Sequence, residues 1–215
     1  MEQKATEERL NFIWLFALGA IFITVGFLSE STSPFVIGSV FLVLFAFVVF
    51  FFRDPDRKIT EAPNAILSPA DGKIVAIVSE EEKEFIKTLT TRVSIFLSPL
   101  NVHVQRAPCN CKTVWVKYSP GKFLPAFREK ASVLNEQNLI ALENDKTKIL
   151  IKQIAGIVAR RVVCWVKKDE KVKSGERIGF IKFGSRVDIF LPNTAKLNVK
   201  NGESVQAGIT VLALL

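Results

Sequence analysis

VKKDEKVKSGERI (residues 166–178) and VKNGESVQAGITV (residues 199–211) are two versions of one pattern. At a constant offset Val, Lys, Glu, Val and Gly recur, and each copy reads as a turn, a strand opening at Val, a Gly turn and a second strand. The plain alternative is a chance likeness between two turns.

Outward from this pair, short apolar stretches alternate with Gly, Pro, Asn and Asp turns: GKIVAIVS, RVSIFL, KTVWVKYS, KILIKQIAG, VARRVVCWV, ERIGFIKFG, RVDIFLP and ITVLALL. Runs of this length, rich in Val and Ile and partly alternating, predict strands. Duplicated hairpins in such a setting are similar to the folded-over biotinyl and lipoyl carrier sandwich. The expected fold class is mainly β, a folded-over β-sandwich resembling duplicated biotinyl/lipoyl-like hairpins. Residues 123–142, where the helical period is poor and Asn frequent, are expected to form a loop with one helical turn over one face of the sheet. Within it PGKFLPAF is apolar and flanked by Lys122 and Arg128, suited either to packing inside or to dipping into a lipid surface.

The first quarter of the chain is different material. Of 18 Phe, 11 lie between Phe12 and Phe52, and residues 10–29 and 31–52 are two uncharged runs separated by Glu30. Each matches the roughly 20 residues that cross a bilayer as helix. A pair of buried core helices or a signal peptide are the alternatives, but the start MEQKATEER is mixed in sign and a second apolar run follows at once. A transmembrane helical hairpin is expected, with helices over about 10–29 and 34–52, an anchor over 1–57 and a β domain over 58–215. Lys4 and Arg9 precede the first run, Arg53, Arg57 and Lys58 follow the second, and the connector SESTSP has no base. Both ends are therefore expected on the cytoplasmic side of the cell membrane.

The net charge of +8 comes mostly from beyond the hairpin. Basic surfaces attract nucleic acid and anionic lipid alike; with an anchor attached and no aromatic-interleaved basic stretch, a phospholipid membrane is the expected partner and nucleic acid is not. Cys109, Cys111 and Cys164 read as reduced cysteines of a cytoplasmic domain, because the Cys109–Cys111 spacing is not that of zinc or redox pairs and the chain has one His. No metal is expected. Without a nucleotide fingerprint or a phosphate-cradling loop, any reactive group must come from elsewhere.

Phe183-Gly184-Ser185-Arg186 lies between two strand-like runs. A Gly carbonyl is open to attack, and Gly tolerates strained dihedrals. The Ser185 hydroxyl can take the Gly184 acyl group from nitrogen to oxygen; loss of the Ser185 α-proton then eliminates the ester, and the dehydroalanine hydrolyses to a pyruvoyl group and ammonia. Such a ketone forms a Schiff base with an amine and withdraws electrons, the work pyridoxal phosphate does elsewhere. Taken alone a Gly-Ser pair is usually only a turn, the SPADG around Asp71 likewise, and a lone His such as His103 usually structural.

Together these segments resemble the phosphatidylserine decarboxylase family. The resemblance runs in order through FFRDPDR (51–57), SPADGKIV (68–75), FLSPLNVHVQRAP (96–108), PGKFLPAF (120–127), NEQN (135–138), QIAGIVARR (153–161) and GERIGFIKFGSRVDIFLP (175–192). It looks like the short subclass of bacteria and archaea, which includes archaetidylserine decarboxylase-like proteins. The resemblance implies autocatalytic cleavage between Gly184 and Ser185, a β chain 1–184, an α chain 185–215 headed by the pyruvoyl cofactor, and neither metal nor pyridoxal phosphate. It maps catalytic roles onto Asp71 and His103, with His103 the expected proton donor to the substrate α-carbon. Larger members carry a second His for self-cleavage three residues on; here that place is Arg106, so either His103 serves both stages or another group does.

The implied substrate is a serine-headgroup phospholipid, with an ester or an archaeal ether tail, converted to the ethanolamine lipid. Arg106, Lys122 and Arg128 are candidates to hold its phosphate, against the alternative of a solvated basic face. Self-association into a homo-oligomer stays open. The rival functions are a pyruvoyl decarboxylase of a small amino acid and a non-enzymatic, membrane-tethered β-sandwich adaptor.

Overall fold

The computed structural model describes residues 12–126, 128, 130–157, 161–182 and 185–215. Two compact units divide after Pro55.

The first is a helical pair, α1 (Ile13–Ser29) and α2 (Thr32–Phe51), reversed at Glu30 in a left-handed conformation (φ 50°). The expected start of the first helix at residue 10, with Lys4 and Arg9, lies outside the described residues. The second helix begins at Thr32 rather than 34: Pro34 falls in the first turn, where a helix needs no N–H from it. Small residues let the helices touch, since a Cβ on Gly38 would lie 2.9 Å from the Gly19 carbonyl oxygen. Phe22 stacks on Phe41, and Phe27 meets Phe35 edge-on at 4.6 Å. Many large apolar side chains point outward, among them Phe27, Leu28 and Val43. The hydroxyls of Thr24, Ser29 and Ser39 each donate to the carbonyl four residues back, so these groups need no water. Helix α2, with 20 residues and a mean hydropathy of 2.7, is long and apolar enough to cross a bilayer.

The second unit is mainly β: β1 (Ala65–Leu67), β2 (Gly72–Glu82), β3 (Thr88–Leu97), β4 (Val104–Arg106), β5 (Cys111–Ser119), β6 (Gln137–Glu143), β7 (Lys148–Ala155), β8 (Val162–Cys164), β9 (Lys171–Val172), β10 (Arg177–Ile181), β11 (Ser185–Pro192), β12 (Lys196–Leu197), β13 (Ser204–Val205) and β14 (Val211–Leu214). A curled eight-stranded sheet has the order β13-β2-β3-β11-β7-β6-β5-β9, and two three-stranded sheets have the orders β1-β14-β12 and β4-β10-β8. All eight quoted apolar stretches contain strands. Residues 123–142 divide: the described residues from 123 to 130 are the expected loop and Ala131–Leu134 the expected helical turn (α3), but from Gln137 the chain is strand, because β6 alternates Ile140 and Leu142 into the core.

The sheet orders are those of a duplication much larger than the repeated hairpin. Strands β4 to β10 form one half; β1 to β3 and β11 to β14 form the other, interrupted by the first. In the two turns Lys167 N donates to Glu170 and Lys200 N to Glu203, Asp169 and Gly202 are both left-handed (φ 67° and 87°), and Gly175 and Gly208 follow at φ 76° and 73°. The pairings Leu67 N to Pro108 O and Arg106 N to Pro69 O are reciprocal, and β2 and β5 share an irregularity at Ile74/Ala76 and Thr113/Trp115. Between the halves runs the ladder of β7 against β11, with Val187, Ile189, Ile149 and Ile151 on the core side.

In the half that is continuous in sequence, β6 turns directly into β7 through residues 144–147, where Asn144 Oδ1 accepts the N–H groups of Lys146 and Thr147. In the other half the matching strands are β3 and β11, and the chain leaves after Leu97 and returns at Ser185. Ser185 thus stands where its sister half has Thr147, at an opened hairpin turn.

Candidate active site

Ser185 is the first residue of a central strand, facing Leu97 of β3 on one side and Ala155 of β7 on the other. It is fully buried, and its Oγ has no hydrogen-bond partner among the described residues. A buried hydroxyl left unmatched costs about 1–3 kcal/mol, so its retention calls for a chemical reason. Phe183 and Gly184 lie outside the described residues, as do Phe127 and residues 158–160 of the quoted motifs.

His103 lies on the passage from β3 to β4, which leaves the sheet opposite Ser185. Asn101 Oδ1 accepts both the N–H and the hydroxyl of Ser98, folding the passage from β3 to β4 back on itself. One end of that passage, Leu97, faces Ser185; at the other, the His103 carbonyl accepts the N–H of Ile181, four residues ahead of Ser185. His103 is fully buried, and its Nδ1 lies 2.9 Å from the Asn101 carbonyl. A carbonyl only accepts, so Nδ1 carries the proton and Nε2 is the basic nitrogen of the neutral ring.

Behind His103 runs a chain of buried amides that sequence reading missed. Gln105 Nε2 donates to the His103 carbonyl (2.6 Å), Gln153 Nε2 to Gln105 Oε1 (2.8 Å), and Asn138 Nδ2 to Gln153 Oε1 (3.3 Å). Gly179 makes room: a Cβ there would lie 2.4 Å from Gln153 Nε2. The signal was present, since Asn138 and Gln153 fall on the core-facing parity of strands otherwise carrying Ile140, Leu142, Ile149 and Ile151.

Asp71 occupies the turn into β2. Its carboxylate accepts two bonds from the Arg57 guanidinium (2.7 and 2.6 Å) and one from the Ala207 N–H (2.8 Å). Its hydrogen bonds do not go to His103. The next residue, Gly72, presses on β3, where a Cβ would lie 2.2 Å from the Phe96 carbonyl oxygen, one residue before Leu97. Arg57, placed with the anchor from sequence, thus works with the β domain. Arg106 lies beside this turn, its N–H on the Pro69 carbonyl and its buried guanidinium donating to the Gly175 carbonyl.

Lys122 and Arg128 are exposed on the loop from β5 to β6. Asn135 fixes that loop beside Ser185, bonding both backbone groups of Leu124 and the carbonyl of Ala155. Gly121 is required there, because a Cβ would lie 2.5 Å from the Glu136 nitrogen.

The opposite face of the same strands is charged and closed. Arg186 is bidentate to Asp188 and also donates to Ser94, while Arg92 pairs with Glu80. Lys152 lies among them, and burial lowers its pKa. These charges hold the head of β11 from behind without reaching the Ser185 side.

The model of the phosphatidylserine decarboxylase family matches residues 44–213. Relatives named phosphatidylserine decarboxylase proenzyme include that of Carboxydothermus hydrogenoformans, 41% identical over 213 residues (99% of this chain, 98% of the relative). That of Desulfotalea psychrophila is 40% identical over 194 residues (90% of each chain), and that of Ralstonia pickettii 45% over 199 residues (92% of each). On a match that spans almost the full length of these relatives and includes every segment around Ser185, the chain belongs to the phosphatidylserine decarboxylase family.

Proposed function

We propose that this chain is a proenzyme that cuts itself between Gly184 and Ser185 and then decarboxylates a serine-headgroup phospholipid to the ethanolamine lipid. The observation that carries this reading is the buried, unmatched Ser185 hydroxyl at the head of a strand held on both sides.

In maturation the Ser185 Oγ attacks the Gly184 carbonyl carbon, breaking the peptide C–N bond and forming an ester. A base takes the Ser185 α-proton, the Oγ–Cβ bond breaks, and Gly184 leaves as the carboxylate end of the β chain. Water replaces nitrogen in the dehydroalanine, releasing ammonia. The α chain stays in place because β11 is paired with β3 from Ser185 to Pro192 and with β7 from Ser185 to Phe190.

Ser185 is fully buried between Leu97 and Ala155, a position that suits a small neutral ketone. The pyruvoyl group supplies an electrophile for the substrate amine and a sink for the electrons released with carbon dioxide. His103 Nε2 is the group suited to returning a proton to the α-carbon, held by Asn101 on its other nitrogen and by Gln105 at its carbonyl. Asp71 acts with Arg57 beside the end of β3. Lys122 and Arg128, exposed and tied to Ala155 through Asn135, suit the lipid phosphate; Arg106, buried on the Gly175 carbonyl, supports the Asp71 turn instead. The hairpin anchors the protein in the cell membrane, and its basic flanks favour a cytoplasmic β domain.

Purified protein run on a denaturing gel with mass spectrometry tests this. The expected result is two chains, the smaller beginning at residue 185 and blocked to amine reagents. One band with an intact Ser185 rejects it.

A further inference from the structure

Ser185 marks one end of the eight-stranded sheet. At that end β3, β5 and β7 finish and β6 and β11 begin, so the connections from β3 to β4, β5 to β6 and β7 to β8 all emerge around it. Single exposed apolar residues are ordinary, but these loops expose several together: Leu100, Phe123, Val133 and Ile157, the last two 74% and 60% exposed. Tyr118 is exposed on the last turn of β5 beside them. Basic residues are interleaved, with Lys122, Arg128, Lys130 and Arg161 all exposed. At the far end of the sheet β2 ends on Glu81 and Glu82, the turn after it carries Lys83, Glu84 and Lys87, and Phe85 of that turn packs against Trp115 at 5.8 Å.

The described parts of these loops are hydrogen-bonded to one another and to the strand ends. Lys122 N donates to Leu134 O, Glu136 N to Lys122 O, Val162 N to Glu136 Oε1, and Lys182 N to Arg161 O. A preorganised surface with apolar tips and a basic collar has the chemistry of a lipid headgroup boundary, where apolar groups enter the acyl region and cations meet anionic headgroups.

We propose that this end of the β domain is itself a lipid-docking surface, with Phe123, Val133 and Ile157 inserting into an anionic bilayer and Lys122, Arg128 and Arg161 at its headgroups. The inference rests on the reading of Ser185 as the reacting centre and adds how a bilayer lipid reaches it: the hairpin tethers, and this rim seats the site on the surface. Its occupant is anionic lipid because, among the described residues, the exposed charge between the apolar tips is basic: Lys122, Arg128, Lys130 and Arg161.

Full-chain protein carrying Phe123→Gln, Val133→Gln and Ile157→Gln tests it on two substrates. With a long-chain serine lipid in vesicles of phosphatidylcholine and phosphatidylglycerol, turnover should fall by about tenfold or more. With a dihexanoyl serine lipid below its micelle concentration, turnover and self-cleavage should stay within about twofold, as expected for exposed substitutions. Equal loss on both substrates, or none on either, overturns the proposal. Independently of turnover, Phe123→Trp should gain fluorescence that brominated phosphatidylglycerol quenches; an unquenched signal rejects docking even if the protein is inactive, whereas quenching without turnover leaves docking standing and rejects the decarboxylase. If the triple variant instead dissociates an oligomer seen by light scattering in detergent, the rim is a contact between copies and docking is rejected.

Discussion

Asp71 and Asn110 occupy the same position in the two halves of the duplicated domain, and only Asp71 is charged. Asp71 Oδ1 accepts the N–H of Ala207, and Asn110 Oδ1 accepts the N–H of Ser174, each donor preceding its left-handed glycine. The shared bond is structural, since the fold uses it twice. The carboxylate and its Arg57 partner belong to the Ser185 half alone.

This relationship separates structure from chemistry at Asp71. Asp71→Asn keeps the bond to Ala207 but leaves Arg57 uncompensated, and breaking a buried pair from one side costs about 3–5 kcal/mol. Urea unfolding should show a loss of that order, largely recovered in Arg57→Met/Asp71→Asn. Self-cleavage should remain slow in both variants on a gel time course; recovery of normal cleavage in the double variant would make the pair purely structural.

Ser185→Ala should leave one uncut chain without activity, and any retained turnover removes Ser185 from the reaction. His103→Ala should lower carbon dioxide release from a serine lipid by about 10²-fold or more, the usual worth of a placed general acid. The same gel decides the maturation base: one band gives both stages to His103, and two bands give self-cleavage to another group.

The strands were legible because a half-buried strand must alternate, and the hairpin repeat because its turns demand particular residues: Glu170 and Glu203 to take a backbone N–H, Gly175 and Gly208 at positive φ. The rest of the duplication was not. PADGKIV and PCNCKTV fold alike but share Pro, Lys and Val alone, since a strand specifies apolarity at alternate positions rather than identity. Insertion of one half within the other also scrambles the order in which matching strands occur. Strand β6 was hidden by Asn135 and Asn138, which read as loop residues but are buried, one clamping Leu124 and the other closing the amide chain. Ser185 itself was weakly marked in sequence; what distinguishes it is the missing turn, visible only once Leu97 is seen across from it.

The amide chain predicts a positioning effect. Gln153→Ala strands Gln105 and Asn138 in the interior, at about 1–3 kcal/mol. Beyond that loss, the basic limb of the pH–rate profile should move, because His103 would no longer be braced through Gln105. Gly179→Ala should reproduce the shift through the clash with Gln153 and the Val163 carbonyl, 2.6 Å from a Cβ. An unchanged profile with lowered stability would reduce the chain to packing.

The cysteines give a pH-dependent test of the fold away from the site. The hydrogen bond from Cys111 lowers the pKa of Cys109 against the opposing effect of burial, while burial raises Cys164 to about 11 from the usual 9.0. Cys111 is buried and raised further still, by its hydrogen bond with Cys109 and by burial. Alkylation needs the thiolate, so at pH 8 iodoacetamide should label Cys109 first, Cys164 well after it and Cys111 last. For Cys164 the folded value lies above the unfolded one; its contribution to stability is complete below pH 9.0 and is lost as pH rises towards about 11. Cys164→Ala should therefore flatten the fall in the unfolding midpoint across that interval. Mass spectrometry after limited alkylation checks the order, and early labelling of Cys164 would show that β8 does not enclose its thiol.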